Sequence, residues 1–276
     1  MNLLCKLFLT VNITFFLLYP AYSQKIATPL DPRIDPLGKD VGIIFGFGSN
    51  FQSGEFHVNC QDCIFDNANG FGFRIGALYQ QEFTRDLWFG IMGLYENFTM
   101  NASFREKELI EFTLQNSNET ELVPVLFRHT AETKFGYLTG MPYLMWMPSD
   151  FFFLRFGLSG SFVLSSKLIH TQEALDKSVI LSSGDTAYVH FGTGKSNSVV
   201  VEEGDFPQIN TFQLGLNPSV GFNFRLSEII HLAPSFQYTI PLSVLSNKGN
   251  GFKMNYWRFL LELRLSLETD KYRKMK

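Results

Sequence analysis

A set of ionisable residues occupies positions where chemistry could be done. When the candidate strands of this chain are aligned by their apolar faces, Arg74, Glu82, Glu96, Arg155, Arg225, His231, Arg258, Glu262 and Arg264 fall on the opposite, polar face. Even spacing puts Arg258, Glu262 and Arg264 on one side of a strand, and Arg74 and Glu82 on one side of another. Such a set supports two chemistries. One is an ion pathway or a catalytic centre. The other is a ladder of ion pairs filling a narrow interior, because charges taken out of water must be paired. The second is the preferred reading, and it expects Glu262 to be held between arginines of neighbouring strands.

The other reactive residue types are sparse. Cys60 and Cys63, in Cys60-Gln61-Asp62-Cys63, suit a local disulfide in an exported chain. A redox Cys-x-x-Cys needs a helix N-terminus in a βαβ setting, and zinc needs two more ligands nearby; neither context is present in the sequence. His57, His129, His170 and His190 fall in or near segments that read as external loops. His129 or His190 beside a loop serine and an acid could form a triad, but no spacing singles one out. No enzyme activity, cofactor or metal site is therefore expected.

The elements that position these residues are long amphipathic strands. In Phe212–Leu226 the even positions are Phe, Leu, Leu, Pro, Val, Phe, Phe and Leu, and the odd ones are small or polar; Ile230–Leu242 repeats the pattern after a break at Ser227-Glu228. Side chains on a strand alternate between faces, and strands of this length match the about 9–11 residues that cross a bilayer at a tilt. The same reading gives strands at about 41–51, 71–83, 87–98, 135–147, 151–165 and 254–267. In the fourth of these eight, at 135–147, the faces cannot be assigned from the alternation. Connections near residues 84, 149 and 227 are short, and those near 60, 115, 185 and 248 are longer. This is the plan of an antiparallel up-and-down transmembrane β-barrel of eight strands with long external loops. Leu109–Leu114 and Leu122–Phe127 read as an extended hairpin rising above the membrane, with a second turn at Ser182-Ser183-Gly184-Asp185.

Composition agrees. The chain has 276 residues, 45% hydrophobic and 16% aromatic, with 30 Phe, a net charge of -3 and a mean hydropathy of +0.02. The charge gives no reason to expect a nucleic-acid partner. Lys6, the apolar run Leu7–Leu18 and Ala21-Tyr22-Ser23 read as a signal peptide over residues 1–23. Residues 24–40, with Pro29, Pro32 and Pro36, read as an extended periplasmic lead-in; 41–268 as the barrel; 269–276 as a charged tail. Tyr79, Tyr95, Tyr143, Tyr238 and Trp257 are candidates for interfacial aromatic girdles.

The stretch Tyr137-Leu138-Thr139-Gly140-Met141-Pro142-Tyr143-Leu144, followed by a glycine-bearing strand over Phe152–Ser161, resembles the PorT-like small outer-membrane β-barrel family of the Bacteroidetes and Chlorobi lineages. The resemblance covers about Val41 to Leu267. It implies an outer-membrane location, outer-membrane lipid around the barrel, and a structural, interaction or secretion-associated role with envelope or secretion proteins as partners. It carries no catalytic residue set. The competing function is a narrow pore for a small solute. A soluble lipocalin-like barrel would invert the faces, with Phe and Leu inside.

Overall fold

The computed structural model describes residues 38–57, 64–84, 86–113, 120–191 and 196–267. The barrel strands are β1 (Lys39–His57), β2 (Ala68–Thr84), β3 (Leu87–Thr113), β4 (Thr120–Ser149), β5 (Phe152–Ala174), β6 (Phe212–Phe222), β7 (Ile230–Pro241) and β8 (Gly249–Ser266). Each pairs antiparallel with its sequence neighbours among these eight, and β8 closes on β1 through pairs such as Val41↔Leu265 and Phe51↔Asn255. Closure leaves the ring of eight strands without an open side, which is what a bilayer demands of a backbone. Three further strands, Ile64–Phe65, Ser198–Asp205 and Phe224–Arg225, each pair with a single neighbour. Among the described residues no helix is long and apolar enough to cross a membrane.

The two faces separate as the alternation requires. Ile43, Phe45, Phe73, Ile75, Phe89, Ile91, Phe156, Leu158, Phe236, Leu261 and Leu263 all point outward and are exposed. A belt of this size has no place in water, where contiguous apolar patches seldom exceed a few hundred Å². Arg74, Glu96, Arg155, Arg258, Glu262 and Arg264 point inward and are buried. The inside-out, lipocalin-like arrangement is thereby excluded.

Strand lengths are unequal. β6 and β7 have 11 and 12 residues, whereas β3 and β4 have 27 and 30 and stay paired from Leu87↔Trp146 to Thr113↔Thr120. The sequence expectation of a hairpin continuing its parent strands is met. The long segment after β5 is more ordered than its polarity suggests. β5 runs on to Ala174, Ser198–Asp205 returns along it, and Ser178–Ile180 pairs with Thr186–Tyr188 around Gly184, whose φ of 86° suits glycine. The upper parts of β3, β4 and β5 thus form an external sheet over one side of the barrel. Its inner face carries a small apolar core of Val125, Phe127, Ala174 and Val189.

Some expectations are corrected. β1 starts at Lys39 rather than Val41. β4 turns Tyr137, Met141, Tyr143 and Met145 inward and Leu138 and Leu144 outward. Its alternation is unreadable in sequence because both faces are apolar. Tyr143 is therefore a lumen residue and not part of a girdle, while Tyr79, Tyr95 and Tyr238 do lie on the exposed face. Residues 1–23, most of the lead-in, the 269–276 tail, Cys60 and Cys63 lie outside the described residues.

Candidate functional site

The lumen is built in layers, and the periplasmic end is polar. Asp40 on β1 accepts from Gln80 Nε2 at 2.8 Å and from Ser266 Oγ at 2.7 Å, and Tyr143 Oη donates to Gln80 Oε1 at 3.0 Å. Next above is Glu262 on β8. Arg155 on β5 grips it with a two-pronged fork, Nη1 to Oε1 at 2.6 Å and Nη2 to Oε2 at 2.9 Å. Arg264 adds Nε to Oε2 at 2.9 Å and a short Nη2 contact to the same oxygen. Phe153 lies under both guanidiniums at 5.0 Å, and Tyr143 lies 4.7 Å from that of Arg155. The inward aromatics of β4 and β5 thus serve as platforms for arginines, a contact that strengthens as water is excluded.

A second layer sits higher. Arg74 Nη2 on β2 lies 2.6 Å from Glu96 Oε1 on β3, an ion-pair contact without hydrogen-bond alignment. Thr139 Oγ1 donates to the other oxygen of Glu96. Arg74 also reaches Gln237, which joins Asn217, Thr239 and Ser159 in a buried amide–hydroxyl network. Arg258 donates to Asn50 Oδ1 and the Trp257 carbonyl, and lies over Tyr256 and Phe98 at 4.7 and 5.1 Å. Glycine makes its room: a Cβ on Gly72 would lie 2.5 Å from Arg258 Nη2 and 2.6 Å from the Asn97 carbonyl oxygen. Above these layers Phe56, Phe65, Phe98, Phe135, Phe206, Leu245 and Phe252 form an apolar lid. A cavity of about 30 Å³ beside Tyr137, Ser159 and Tyr256 is room for about one water.

Of the nine ionisable residues read on the polar face, six are buried in the lumen: Arg74, Glu96, Arg155, Arg258, Glu262 and Arg264. His231 is half-buried near the start of β7, with Nδ1 3.5 Å from Asn223 Nδ2. The other two are outside the lumen. Arg225 is exposed at the periplasmic turn, with Nε donating to the Ser227 carbonyl. Glu82 sits at the rim, where its carboxylate accepts from the Gly38 backbone N–H at 3.0 Å. Both lie at strand ends, where a face assignment carries past the point at which the lumen stops. Glu262 is indeed held between two arginines, but Arg155 reaches it from across the lumen and Arg264 from its own strand. Twist and shear set which rungs meet across a barrel, and a linear sequence does not encode them.

A second constellation lies in the external sheet, and sequence reasoning passed over it. His129 on β4 faces Glu108 on β3, with Nε2 2.9 Å from Oε1, and its Nδ1 lies 3.1 Å from His170 Nε2 on β5. Gln172 Nε2 also donates to Glu108 at 2.8 Å. Phe104 stacks on the His129 ring at 4.8 Å and 8°, and Phe65 meets His170 edge-on. Burial and the adjacent His129 hold the His170 imidazole below its ordinary value, with Glu202 opposing them.

A closed antiparallel ring, an outward apolar belt and an ion-paired interior define an outer-membrane β-barrel. The sequence profile of the family described as outer membrane protein beta-barrel domain matches residues 37–247, and the chain belongs to that family. Among solved structures it is similar to Ail, the attachment invasion locus protein of Yersinia pestis, at 12% identity and a TM-score of 0.32, covering 82% of this chain and 98% of that one. It is also similar to Neisserial surface protein A at 12% and 0.37, covering 82% and 96%, and to the outer membrane protease OmpT of Escherichia coli at 7% and 0.31, covering 83% and 97%. Likeness at such identities does not extend to function. No curated protein sequence matches the chain.

Proposed function

We propose that this protein is a non-enzymatic outer-membrane barrel with a closed lumen, acting through its external sheet in contacts with envelope or secretion proteins. The observation that carries this reading is the bridge from Arg155 through Glu262 to Arg264, which ties opposite walls together beneath an aromatic lid. Buried charges satisfied by each other are structural groups, and a pathway for solutes needs sites weak enough to leave. The resemblance of Tyr137–Leu144 to the PorT-like strand supports a secretion-associated placement. The test is electrical: purified protein in planar bilayers is expected to hold a closed baseline. Large, steady, ion-selective conductance would overturn the closed-lumen reading and favour the narrow pore for a small solute. Loss of co-purifying envelope proteins on deleting residues 106–127, with the barrel still folded, is the expected result for the external sheet.

A further inference from the structure

From the external sheet we infer that Glu106, Glu108 and His129 form a binding site for a borderline first-row divalent cation of the zinc type, with His170 as its positioning residue. One ligand atom from each of the three lies within 4.8 Å of the others. Bonds of about 2.0–2.2 Å in a tetrahedral arrangement place ligand atoms about 3.4 Å apart, so small side-chain rotations close the site. Glu106 and Glu108 are two residues apart on β3 and share its inner face, so two carboxylates converge on one imidazole in a half-buried setting. Arg105 and Lys107 alternate to the outer face. Convergence of two carboxylates is costly unless a cation sits between them. Imidazole nitrogen with two carboxylate oxygens is a donor set for zinc or its first-row neighbours rather than for calcium or magnesium, which take oxygen alone.

The second observation is the pair of rings. The two contacts of His129 each need one proton. With Nε2–H donating to Glu108, Nδ1 must accept from His170 Nε2–H, which leaves the buried Nδ1 of His170 without a partner. With a cation on Nε2 the direction reverses. The Nε2 proton leaves, His129 Nδ1 takes the proton of His170 Nε2 and donates it back across the same contact, and His170 gains a proton from water on Nδ1. One proton leaves and one enters. His170 then plays the part that outer partners of metal-bound histidines play, fixing tautomer and ring orientation. Phe104, stacked on the ring, holds His129 in plane. Glu106 and Glu108 are partly exposed, so water or another ligand of the cation can complete the coordination.

The test uses the full mature chain, refolded in detergent, with Zn²⁺ as the probe. Bound metal is counted by mass spectrometry after desalting, affinity is measured by calorimetry, and heat-modifiable gel mobility reports folding. Wild type is expected to retain one equivalent of Zn²⁺ that millimolar Mg²⁺ does not displace. H129Q, and E106Q together with E108Q, should weaken binding at least about 10-fold with mobility unchanged. H170Q should weaken it about 10-fold, the range seen when an outer partner is removed, and should abolish the change in the His129 ¹⁵N shifts that marks the tautomer reversal. E106Q alone, on a partly exposed side chain, covers the case in which H129Q misfolds. Wild-type affinity in H129Q or in E106Q with E108Q, or loss of binding only when Cys60 and Cys63 are replaced by serine, would overturn the assignment.

Discussion

Replacing Glu262 by glutamine isolates the charge that the lumen is built around. Four donor contacts converge on its two oxygens, three of 2.6, 2.9 and 2.9 Å and one shorter. An amide keeps one oxygen and turns an N–H₂ group toward a guanidinium, so the fork of Arg155 cannot re-form, and two buried guanidiniums lose their counter-charge. Breaking a buried ion pair from one side costs about 3–5 kcal/mol, whereas replacing the whole group by apolar residues of similar volume is close to neutral. Glu262→Gln is therefore expected to lose about 3–5 kcal/mol in reversible urea unfolding from lipid vesicles. The triple variant R155M/E262L/R264M is expected to recover most of it, to within about 2 kcal/mol of wild type. Arg155→Met alone leaves Glu262 with Arg264 on the same strand and should fall between them. A Glu262→Gln barrel within about 1 kcal/mol of wild type, or a triple variant no better than the single, would refute the claim that paired charge is what closes this interior.

The remaining predictions probe other layers. Gly72→Val puts a side chain where the Arg258 guanidinium and the Asn97 carbonyl already are, and should cost about 1–3 kcal/mol by the same unfolding assay, the usual range for overpacking. His170 is held below the ordinary imidazole value by burial and by His129, so the unfolded sheet binds more protons than the folded one just below about pH 6.5. Stability should therefore fall as pH drops through that value. Once the slower intrinsic exchange in acid is divided out, protection factors of the amides of Thr130–Lys134 and Leu168–Gln172 should be lower at pH 5.5 than at pH 7.5, and His170→Asn should remove the difference. Cys60 and Cys63 are expected to be joined in exported protein. Intact mass under non-reducing conditions should be two hydrogens light, and the double serine variant should fold as wild type because so small a loop constrains little of the unfolded chain.

The belt was legible because lipid imposes a strict rule: Phe259, Leu261, Leu263 and Leu265 can face nothing else, and the period of two states it. The interior obeys a looser rule. Arginine there is satisfied by carboxylate, amide or aromatic ring, so Tyr143 reads as a girdle residue when it is a platform for Arg155, whereas Phe153 reads inward with Arg155 and is found there. Strand ends were legible only to a few residues, and that put Arg225 and Glu82 inside the lumen on paper. The ring pair of His129 and His170 was hidden for another reason. The two are 41 residues apart, on strands whose pairing register changes between Gly136 and Tyr137, and counting from a turn does not predict that they meet.

The unbroken register between β3 and β4 gives the hairpin a mechanical character. Its ladder shows no shift from the periplasmic rim to the tip, while β4 against β5 slips at Gly136/Tyr137 and again at Trp146/Ser149, and β5 against the external strand slips at His170/Thr171. From Thr99 upward the hairpin rises about 50 Å along the strand at about 3.3 Å per residue. A pull on the tip along the strand axis loads this whole run of hydrogen bonds in shear, and the force passes straight into the barrel wall. A sideways pull instead finds the slipped seams first and peels them one rung at a time. The projection is thus a stiff lever in one direction and a hinge in the other, and anything gripping its tip from outside the cell tugs directly on the wall that carries Glu96.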